Sequence, residues 1–275
     1  MDKEFIDRIA AVGRQAALAA GAVLRQNYYK PHQITYKGAI DPVTETDLQS
    51  QEMITALIRQ AFPDHGLLAE EESLRAEATG GHGGPPHQSL SPYRWIIDPL
   101  DGTVNFAHGF PAFCVSIALE MEGALHCGVI YDPLRDELFE ARKGGGAFLN
   151  GQPIRVSKTE RLDRALLTTG FPYDIRERLT ETLARLGRLL GVAQGVRRAG
   201  SAALDMCYVA CGRFDGFWEE NLKPWDTAAG LLIITEAGGK ITTFSGGDYD
   251  INAPNIVASN KNLHDKMLSL LNEKS

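Results

Sequence analysis

A chain of 275 residues is long enough for one large domain or for two packed lobes around a sizeable core. Its formal net charge of −7 argues against a nucleic-acid partner held by general electrostatics, although a phosphorylated ligand held through divalent cations is compatible with it. The charged N-terminus and the short apolar stretches predict neither a signal peptide nor a membrane-spanning helix, and four cysteines without a C-x-x-C pair are typical of a reduced, cytoplasmic protein.

Two helices are predicted before the first buried strand. Apolar residues recur at helical spacing from about residue 4 to 29, and the pattern ends before Pro31. A second helix is expected to end at Pro63, with Thr46 or Asp47 as its N-cap. Capping is one interpretation of Asp47. Its carboxylate could also hold a hydroxyl group in a chosen orientation, and the two roles are compatible.

A short buried strand, Gly66–Ala69, is predicted to run into three acidic residues at 70–72. Such a run is usually a solvated rim, but one acid turned inward would suit a metal ion. Residues from about 76 to 92 are rich in glycine and proline, and they predict a loop that could cover a site. His82 and His87 lie in this loop, and the sequence offers them no ligand-like partners.

The stretch at 95–106 organises the rest of the chain. Three apolar residues predict the end of a buried strand, and Asp98 and Asp101 follow it. Buried carboxylates are costly unless something compensates them, and a metal ion is the usual compensating group. Pro99, in the turn predicted between the two acids, partly presets their spacing. An acidic turn with an Asx cap would explain the D-x-x-D spacing equally well.

The residues after Asp101 suggest an anion site. Gly102 would let the backbone approach a ligand closely. If a helix begins at Asn105, the N–H groups around Gly102 and Thr103 would face an anion. Two carboxylates beside an anion site predict Mg²⁺ bridged to phosphate.

Three consecutive strands are predicted next, over residues 113–119, 125–131 and 138–141. This order predicts an antiparallel meander and not a β-α-β alternation. The glycines at 144–146 could form a phosphate loop, but no Gly-Lys-Ser/Thr follows them. A hairpin with a tight turn at Asn150-Gly151 explains them better.

The second half alternates strands and helices. A strand is predicted at 166–169, a helix over about 175–190, and a helix from Gly200 to about Cys211. Small residues at the start of that last helix, Gly200-Ser201-Ala202, suit the close approach of a ligand, and ordinary helix packing explains them as well.

A further strand and helix carry two more acids. The strand over 214–218 runs into Glu219, and Pro224 begins a helix that continues to Ile234. Asp226 lies in the first turn of that helix, where it either stabilises the helix dipole or reaches a ligand. Two short strands and a helix over about 263–271 complete the chain. No linker marks a domain boundary, which we place near Asn150.

Five of these segments, in this order, resemble the signature motifs of the inositol monophosphatase family of Mg²⁺-dependent phosphatases, and the resemblance covers almost the whole chain. The matching segments are Asp41-x-Val43-Thr44-x-Thr46-Asp47, Ala69-Glu70-Glu71, Asp98-Pro99-Leu100-Asp101-Gly102-Thr103-Val104-Asn105-Phe106, Gly200-Ser201-Ala202-Ala203 and Pro224-Trp225-Asp226-Thr227-Ala228-Ala229-Gly230. The chain departs from the pattern at Ala69, where the family has glycine. This departure concerns the local turn and not the proposed ligand.

The resemblance implies a mixed α/β fold, a five-layer α-β-α-β-α sandwich of the inositol monophosphatase and fructose-1,6-bisphosphatase type. It places the site between two lobes. We expect residues 1–150 to form an N-terminal α+β lobe with most of the metal ligands, and residues 151–275 to form a C-terminal α/β lobe that completes the metal and substrate sites.

The resemblance also implies two to three Mg²⁺ ions. Glu70, Asp98 and the Leu100 carbonyl would hold the first ion. Asp98 would bridge to a second ion, which Asp101 and Asp226 complete, and a more weakly held third ion would lie near Glu70. In this assignment, both acids of the central stretch, Asp98 and Asp101, are metal ligands.

The catalytic and substrate-binding residues are implied in the same way. Thr103 and Glu70 would orient the attacking water, and Asp47 would accept a hydrogen bond from the Thr103 hydroxyl as the base behind it. The substrate-binding residues would be Asp101, Gly102, Thr103, Gly200, Ser201, Ala202 and Glu219.

The expected activity is hydrolysis of a phosphate monoester, with myo-inositol monophosphate preferred because the Glu219 carboxylate can accept hydrogen bonds from polyol hydroxyls. The same chemistry on a sugar bisphosphate, an adenosine bisphosphate or NADP(H) is the enzymatic alternative. The alternative outside enzymes is a regulatory protein that binds a macromolecular partner, for which arginines between 176 and 198 could supply a surface. The resemblance further implies a homodimer.

Overall fold

The computed structural model describes residues 3–31, 34–36, 42–72, 91–172 and 174–273. Most of the loop predicted over 76–92, including His82 and His87, lies outside these residues. The chain begins with α1 (Lys3–Asn27), followed by β1 (Ile34–Tyr36), β2 (Pro42–Thr44) and α2 (Glu45–Ala61). The helices confirm the prediction, whereas the antiparallel pair β1–β2 was not predicted because each strand has only three residues.

A seven-stranded sheet follows, with its strands in sequence order. It consists of β3 (Gly66–Ala69), β4 (Tyr93–Asp101), β5 (Cys114–Met121), β6 (Ala124–Asp132), β7 (Glu137–Arg142), β8 (Gly146–Leu149) and β9 (Gln152–Pro153). Only the β3–β4 pair is parallel, and the antiparallel remainder confirms the predicted meander. Asn150 and Gly151 have φ angles of 49° and 76°, as a tight hairpin turn requires.

The second sheet has five strands in the order β11-β10-β12-β14-β13. Its members are β10 (Leu166–Thr169), β11 (Gly195–Arg197), β12 (Gly216–Glu220), β13 (Lys240–Thr242) and β14 (Asn255–Ser259). The remaining helices are α3 (Thr103–Ala107), α4 (Ile175–Leu190), α5 (Ala202–Ala210), α6 (Pro224–Glu236) and α7 (His264–Asn272), with a short 3₁₀ turn at Leu162–Arg164. Strand β11 was not predicted.

Three apolar clusters show how the elements are layered. Alternate residues of the first sheet face opposite sides, so that Trp95 and Ile97 pack with α1 and α2, whereas Ile96 packs with α5 and α6. The same inner cluster contains Phe217 of the second sheet, whose other face packs Trp218 against α4 and α7. The order helices, sheet, helices, sheet, helices confirms the predicted five-layer α-β-α-β-α sandwich.

Three local predictions are corrected. The N-cap of α2 is Thr44, because its side chain accepts from the N–H of Thr46 while Asp47 occupies position N3 of a capping box. Helix α3 begins at Thr103 and not at Asn105. Strand β4 does not end before its two acids but continues through them to Asp101 by way of a register shift.

Two further observations concern the cysteines and the long helices. Cys114, Cys127 and Cys207 are buried free thiols. Among the described residues, no helix combines the length and the apolar character that a membrane crossing requires.

Candidate active site

The irregular end of β4 presents the two central acids. Asp98 pairs with Ser116 and Asp101 pairs with Cys114, so β4 has one residue more than β5 between these positions. Such a bulge redirects side chains at a strand end. The carbonyl of Pro99 in the bulge accepts a hydrogen bond of 2.7 Å from the Ser50 hydroxyl of α2, which fixes the bulge from behind.

Asp101 is tied to the second half of the chain. Its Oδ2 accepts hydrogen bonds from the Ser201 hydroxyl at 2.6 Å and from the Ala203 N–H at 2.8 Å. Ser201 is also the N-cap of α5, since its side chain accepts from the N–H of Leu204. The first turn of α5 therefore lies against the acid that ends β4.

Gly102 and Asn105 complete this junction. Gly102 has a φ of +96°, and a Cβ there would lie 2.8 Å from the Ala112 carbonyl oxygen, so glycine is required for both reasons. The Asn105 Nδ2 lies 2.7 Å from the Ala112 carbonyl oxygen and 2.8 Å from that of Ala199. One amide therefore joins α3 to the segment that leads into α5.

The two carboxyl oxygens of Asp47 serve two different purposes. Oδ2 accepts from the backbone N–H of Thr44 at 2.8 Å and from its hydroxyl at 2.6 Å, which stabilises the start of α2. Oδ1 lies 3.0 Å from the Thr103 hydroxyl. The Thr103 oxygen is also 3.0 Å from the Leu100 carbonyl oxygen, and its single hydrogen can be donated fully to only one of them. Helix capping and contact with Thr103 thus coexist in one fully buried side chain.

Two cavities meet at these residues. The smaller, of about 130 Å³, is lined by six acids, Glu70, Asp98, Asp101, Glu219, Glu220 and Asp226, and its wall also includes Leu100, Gly102 and Thr103. The larger, of about 370 Å³, shares Asp101, Gly102, Thr103, Glu219 and Asp226 and adds Gly200, Ser201 and Ala202. The fold therefore brings every residue of the sequence-based site to one of these walls except Asp47, which lies behind Thr103.

Asp226 and Glu219 reach the site from the second half of the chain. Asp226 accepts a hydrogen bond of 2.7 Å from the backbone N–H of Lys223, and the preceding Trp225 carbonyl accepts from the Ser116 hydroxyl of β5. Glu219, at the end of β12, lies so close to Gly170 that a Cβ at position 170 would be 2.1 Å from Glu219 Oε1. Each acid is thus held against backbone.

The acids of the smaller cavity raise one another's pKa. Burial raises the pKa of Asp98 well above its ordinary value, and the negative charges of Glu70, Asp101 and Asp226 add to the effect. Burial also raises the pKa of Asp226, to which Asp101 and Glu70 contribute in turn. The cluster is therefore unfavourable in its ionised form unless positive charge is added.

The donor set fits Mg²⁺, although in the described ranges no three His, Cys, Asp or Glu side chains already form a ready-made metal site. Asp101 and Asp226 each direct one oxygen to backbone N–H groups, which leaves the other oxygen for a further partner. Mg²⁺ needs only one or two carboxylates, because carbonyl oxygens, phosphate and water complete its six ligands. Four acids and the Leu100 carbonyl suffice for shared sites of this kind.

Sequence reasoning missed part of the larger cavity. Arg198, Asp205 and Phe171 belong to its wall. Arg198 lies over the Phe171 ring, with its guanidinium carbon 5.6 Å from the ring centroid. Asp205 is the only charged residue of α5, and a buried acid in such an apolar helix was a signal that could have identified it.

The family model for the "Inositol monophosphatase family" matches residues 6–275. A curated protein named inositol-1-monophosphatase from Synechocystis is 43% identical over 94% of this chain and 87% of its own length. The crystal structure of an extragenic suppressor protein suhB from Bartonella henselae superposes with a TM-score of 0.89 at 39% identity, covering 97% of this chain and 99% of that one. The structure of inositol monophosphatase from Anabaena gives 0.83 at 42% identity, over 96% and 94% of the two chains.

Proposed function

The chain belongs to the inositol monophosphatase family, and we propose that it hydrolyses myo-inositol monophosphate to myo-inositol and phosphate, with Mg²⁺ as the metal. One observation carries the proposal: Glu70, Asp98, Asp101 and Asp226 line a single cavity. A carboxylate, Glu219, lies on the wall that this cavity shares with a larger one. The acids suit a metal-held phosphate, and the larger cavity suits a polyol.

Two to three Mg²⁺ ions would share these acids. We assign Glu70, Asp98 and the Leu100 carbonyl to the first ion, and Asp98, Asp101 and Asp226 to the second, with a weaker third near Glu70. When bound, the ions supply positive charge that favours deprotonation of water and neutralises charge on the phosphate oxygens. The mutual repulsion of the acids supports this assignment, because bound cations would relieve it.

Asp47 and Thr103 are proposed to orient the attacking water. If the Thr103 hydroxyl donates to Asp47 Oδ1, its lone pairs face away from that carboxylate and can accept a hydrogen bond from water. Glu70 would accept a hydrogen bond from the other hydrogen of the same water. A buried carboxylate behind the hydroxyl makes it a better acceptor, and in this role Asp47 is the base of the pair.

The phosphate and the alcohol would occupy neighbouring parts of the cavities. Backbone N–H groups of Gly102 and Thr103 would receive phosphate oxygens. The alcohol would lie against Asp101, Gly200, Ser201, Ala202 and Glu219, which line the larger cavity. The small side chains leave room for a ring, and Glu219 can accept from its hydroxyls.

The enzymatic alternatives differ in the alcohol. A sugar bisphosphate, an adenosine bisphosphate or NADP(H) would bring a second phosphate toward Glu219, where like charges repel. A substrate panel at saturating Mg²⁺ decides between them. We expect kcat/KM for myo-inositol 1-phosphate to exceed that for fructose 1,6-bisphosphate, 3′-phosphoadenosine 5′-phosphate and NADP. A higher value for any of these three would replace inositol phosphate as the proposed substrate.

A regulatory role is the second candidate, because the Bartonella neighbour is named an extragenic suppressor protein. Several arginines between 176 and 198 could contribute to a partner surface, but Arg185 is already engaged by Glu220 at 2.9 Å. A pull-down that compares the wild type with an Asp226→Asn variant separates the roles. A partner captured equally by both would show binding that does not need the metal cluster.

The assembly and the division of the chain are also proposals. We infer a cytoplasmic homodimer whose subunits each comprise an N-terminal lobe over 1–150 and a C-terminal lobe over 151–275. In support, Leu179 and Leu183 of α4 are 49% and 50% exposed, one helical turn apart. Sedimentation of a monomer at micromolar concentration would contradict the dimer.

A further inference from the structure

A buried carboxyl group in the wall of the larger cavity lacks one hydrogen-bond partner. Asp205 of α5 is only 1% exposed. The Thr168 hydroxyl interacts with this carboxyl group. Its Oδ1, however, has no hydrogen-bond partner among the described residues, and it is shielded from bulk water. A buried polar atom of this kind lowers the free energy of unfolding unless a partner is supplied.

The position of this oxygen suggests what supplies the partner. Three other buried polar atoms of the described chain also lack partners, on Thr46, Thr182 and Arg188. None of these residues lines either site cavity, whereas Asp205 does. Of these four residues, Asp205 is therefore the one that combines an unmet hydrogen bond with a place in the wall of the larger cavity.

Asp205 and Glu219 both line the larger cavity. Glu219 is 8% exposed and packed against Gly170, so its carboxylate cannot withdraw in that direction. Burial raises the pKa of both carboxyl groups, and the charge of Asp205 adds to the effect at Glu219. Hydrogen-bond donors that approach from the cavity would stabilise the ionised form of both carboxyl groups. Hydroxyl groups are donors of this kind, and they carry no charge.

We propose that Asp205 is a second hydroxyl acceptor of the site, which with Glu219 selects phosphate monoesters of polyols that have adjacent free hydroxyl groups. The inference rests on the function proposed above and deepens it, because it adds a residue that determines which alcohol is accepted. An alcohol without such hydroxyls leaves the Asp205 oxygen unsatisfied and gains nothing from this wall.

The test uses two substrates with the same six-membered carbon ring, myo-inositol 1-phosphate and cyclohexyl phosphate, at saturating Mg²⁺. Asp205→Leu removes both oxygens while keeping the branched shape of the side chain, and Asp205→Asn keeps one acceptor oxygen. Thr182→Val is the matched control, since it removes a buried unpartnered oxygen away from the site. If Asp205→Leu does not fold, Asp205→Ala replaces it under the same criterion.

The quantity measured is the ratio of kcat/KM for the inositol ester to that for the cyclohexyl ester. We expect Asp205→Leu to lower it by about tenfold or more, mainly through KM, because a hydrogen bond to a charged group is lost. Asp205→Asn should keep the ratio within about threefold, and Thr182→Val should leave it unchanged. Both Asp205→Leu and Thr182→Val should raise the melting temperature of the metal-free protein.

Two results would overturn the inference and are distinguishable. If the wild-type ratio is large and Asp205→Leu preserves it, Asp205 is a structural residue and the proposed function is unaffected. If the wild-type ratio is near one, the protein does not select a polyol, and the proposed function fails together with the inference.

Discussion

Two buried regions with titratable side chains, the acid cluster and His264, differ in how far neighbouring residues stabilise them. At the site, Glu70, Asp98, Asp101 and Asp226 line one cavity and raise one another's pKa. At the start of α7, fully buried His264 has both ring nitrogens in hydrogen bonds, Nε2 with the Thr242 hydroxyl at 2.8 Å and Nδ1 with that of Ser259 at 2.9 Å.

This contrast shows that burial of a titratable residue does not by itself indicate a function. A buried titratable residue that its neighbours satisfy completely, as at His264, is a part of the packing. A buried set of acids that repel one another in their ionised form is stabilised by added positive charge, such as that of a bound cation. Substitutions at the acids and at the histidine should therefore have effects of different size and kind.

Loss of one acid of the cluster should have the largest effect. Asp226→Asn removes a charge from the second proposed ion, and we expect a rate loss of at least about a hundredfold, or about 2.7 kcal/mol in the barrier, with the fold retained. Steady-state kinetics and circular dichroism check this. Asp265→Asn is the control, because Asp265 is 88% exposed at the start of α7 and should leave the rate unchanged. Near-normal Mg²⁺-dependent turnover by a folded Asp226→Asn protein would refute the assignment.

The Asp47–Thr103 pair should behave as a unit. We expect each single alanine variant to lose about tenfold or more in kcat and the double variant to be little worse, as for residues that act together. Thr44→Val removes the capping hydroxyl but keeps Asp47: it should lower the free energy of unfolding by about 1 kcal/mol and reduce kcat far less than Asp47→Ala does. Additive losses from Asp47→Ala and Thr103→Ala would reduce Asp47 to a capping-box residue.

Mg²⁺ should stabilise the fold through the acid cluster. A ligand that binds only the folded state at a hundred times its Kd adds about 2.7 kcal/mol, which is several degrees in melting temperature. We expect this rise in the wild type, a smaller rise in Asp226→Asn, and its reversal by a chelator. An equal rise in both proteins would show that Mg²⁺ binds elsewhere.

The histidine should give the smallest effect and one of a different kind. Burial lowers the pKa of His264 from 6.5 to about 4, and the charge of Lys240 contributes. Between these values the unfolded chain binds a proton that the folded protein does not, so acidification should lower the free energy of unfolding. His264→Asn should flatten this dependence in urea titrations from pH 7 to 4, compared with the wild type. Equal slopes would place the acid sensitivity elsewhere.

The sequence predicted the acids of the site better than their surroundings. Asp98, Asp101 and Asp226 interrupt apolar patterns near strand or helix ends, which made each a candidate ligand, whereas their convergence was implied by the family resemblance. The five-layer order could be predicted only from the family resemblance. The apolar pattern within a strand indicates that both faces of the sheet are covered, but it does not identify the elements that cover them.

Other features could not be predicted from local pattern. Thr44, Thr46 and Asp47 are all acceptable caps by type, and the contact between Asp47 and Thr103, which lies 56 positions away, is not visible in the local pattern. The bulge in β4 depends on pairing with β5, and the single unsatisfied oxygen of Asp205 is a property of the whole cavity. Tertiary contacts decide such details.

The hydrogen bond from the Ala203 N–H to Asp101 also has a consequence for synthesis. The two residues are 102 positions apart. At about 5–20 residues per second, roughly 5–20 s separate their emergence from the ribosome. All seven strands of the first sheet are translated within or before that interval, while the Asp101 carboxylate still lacks the Ser201 and Ala203 donors. Completion of the site is therefore a late event of translation, and nascent chains that stop before α5 lack both these donors and the Asp226 carboxylate proposed for the second ion.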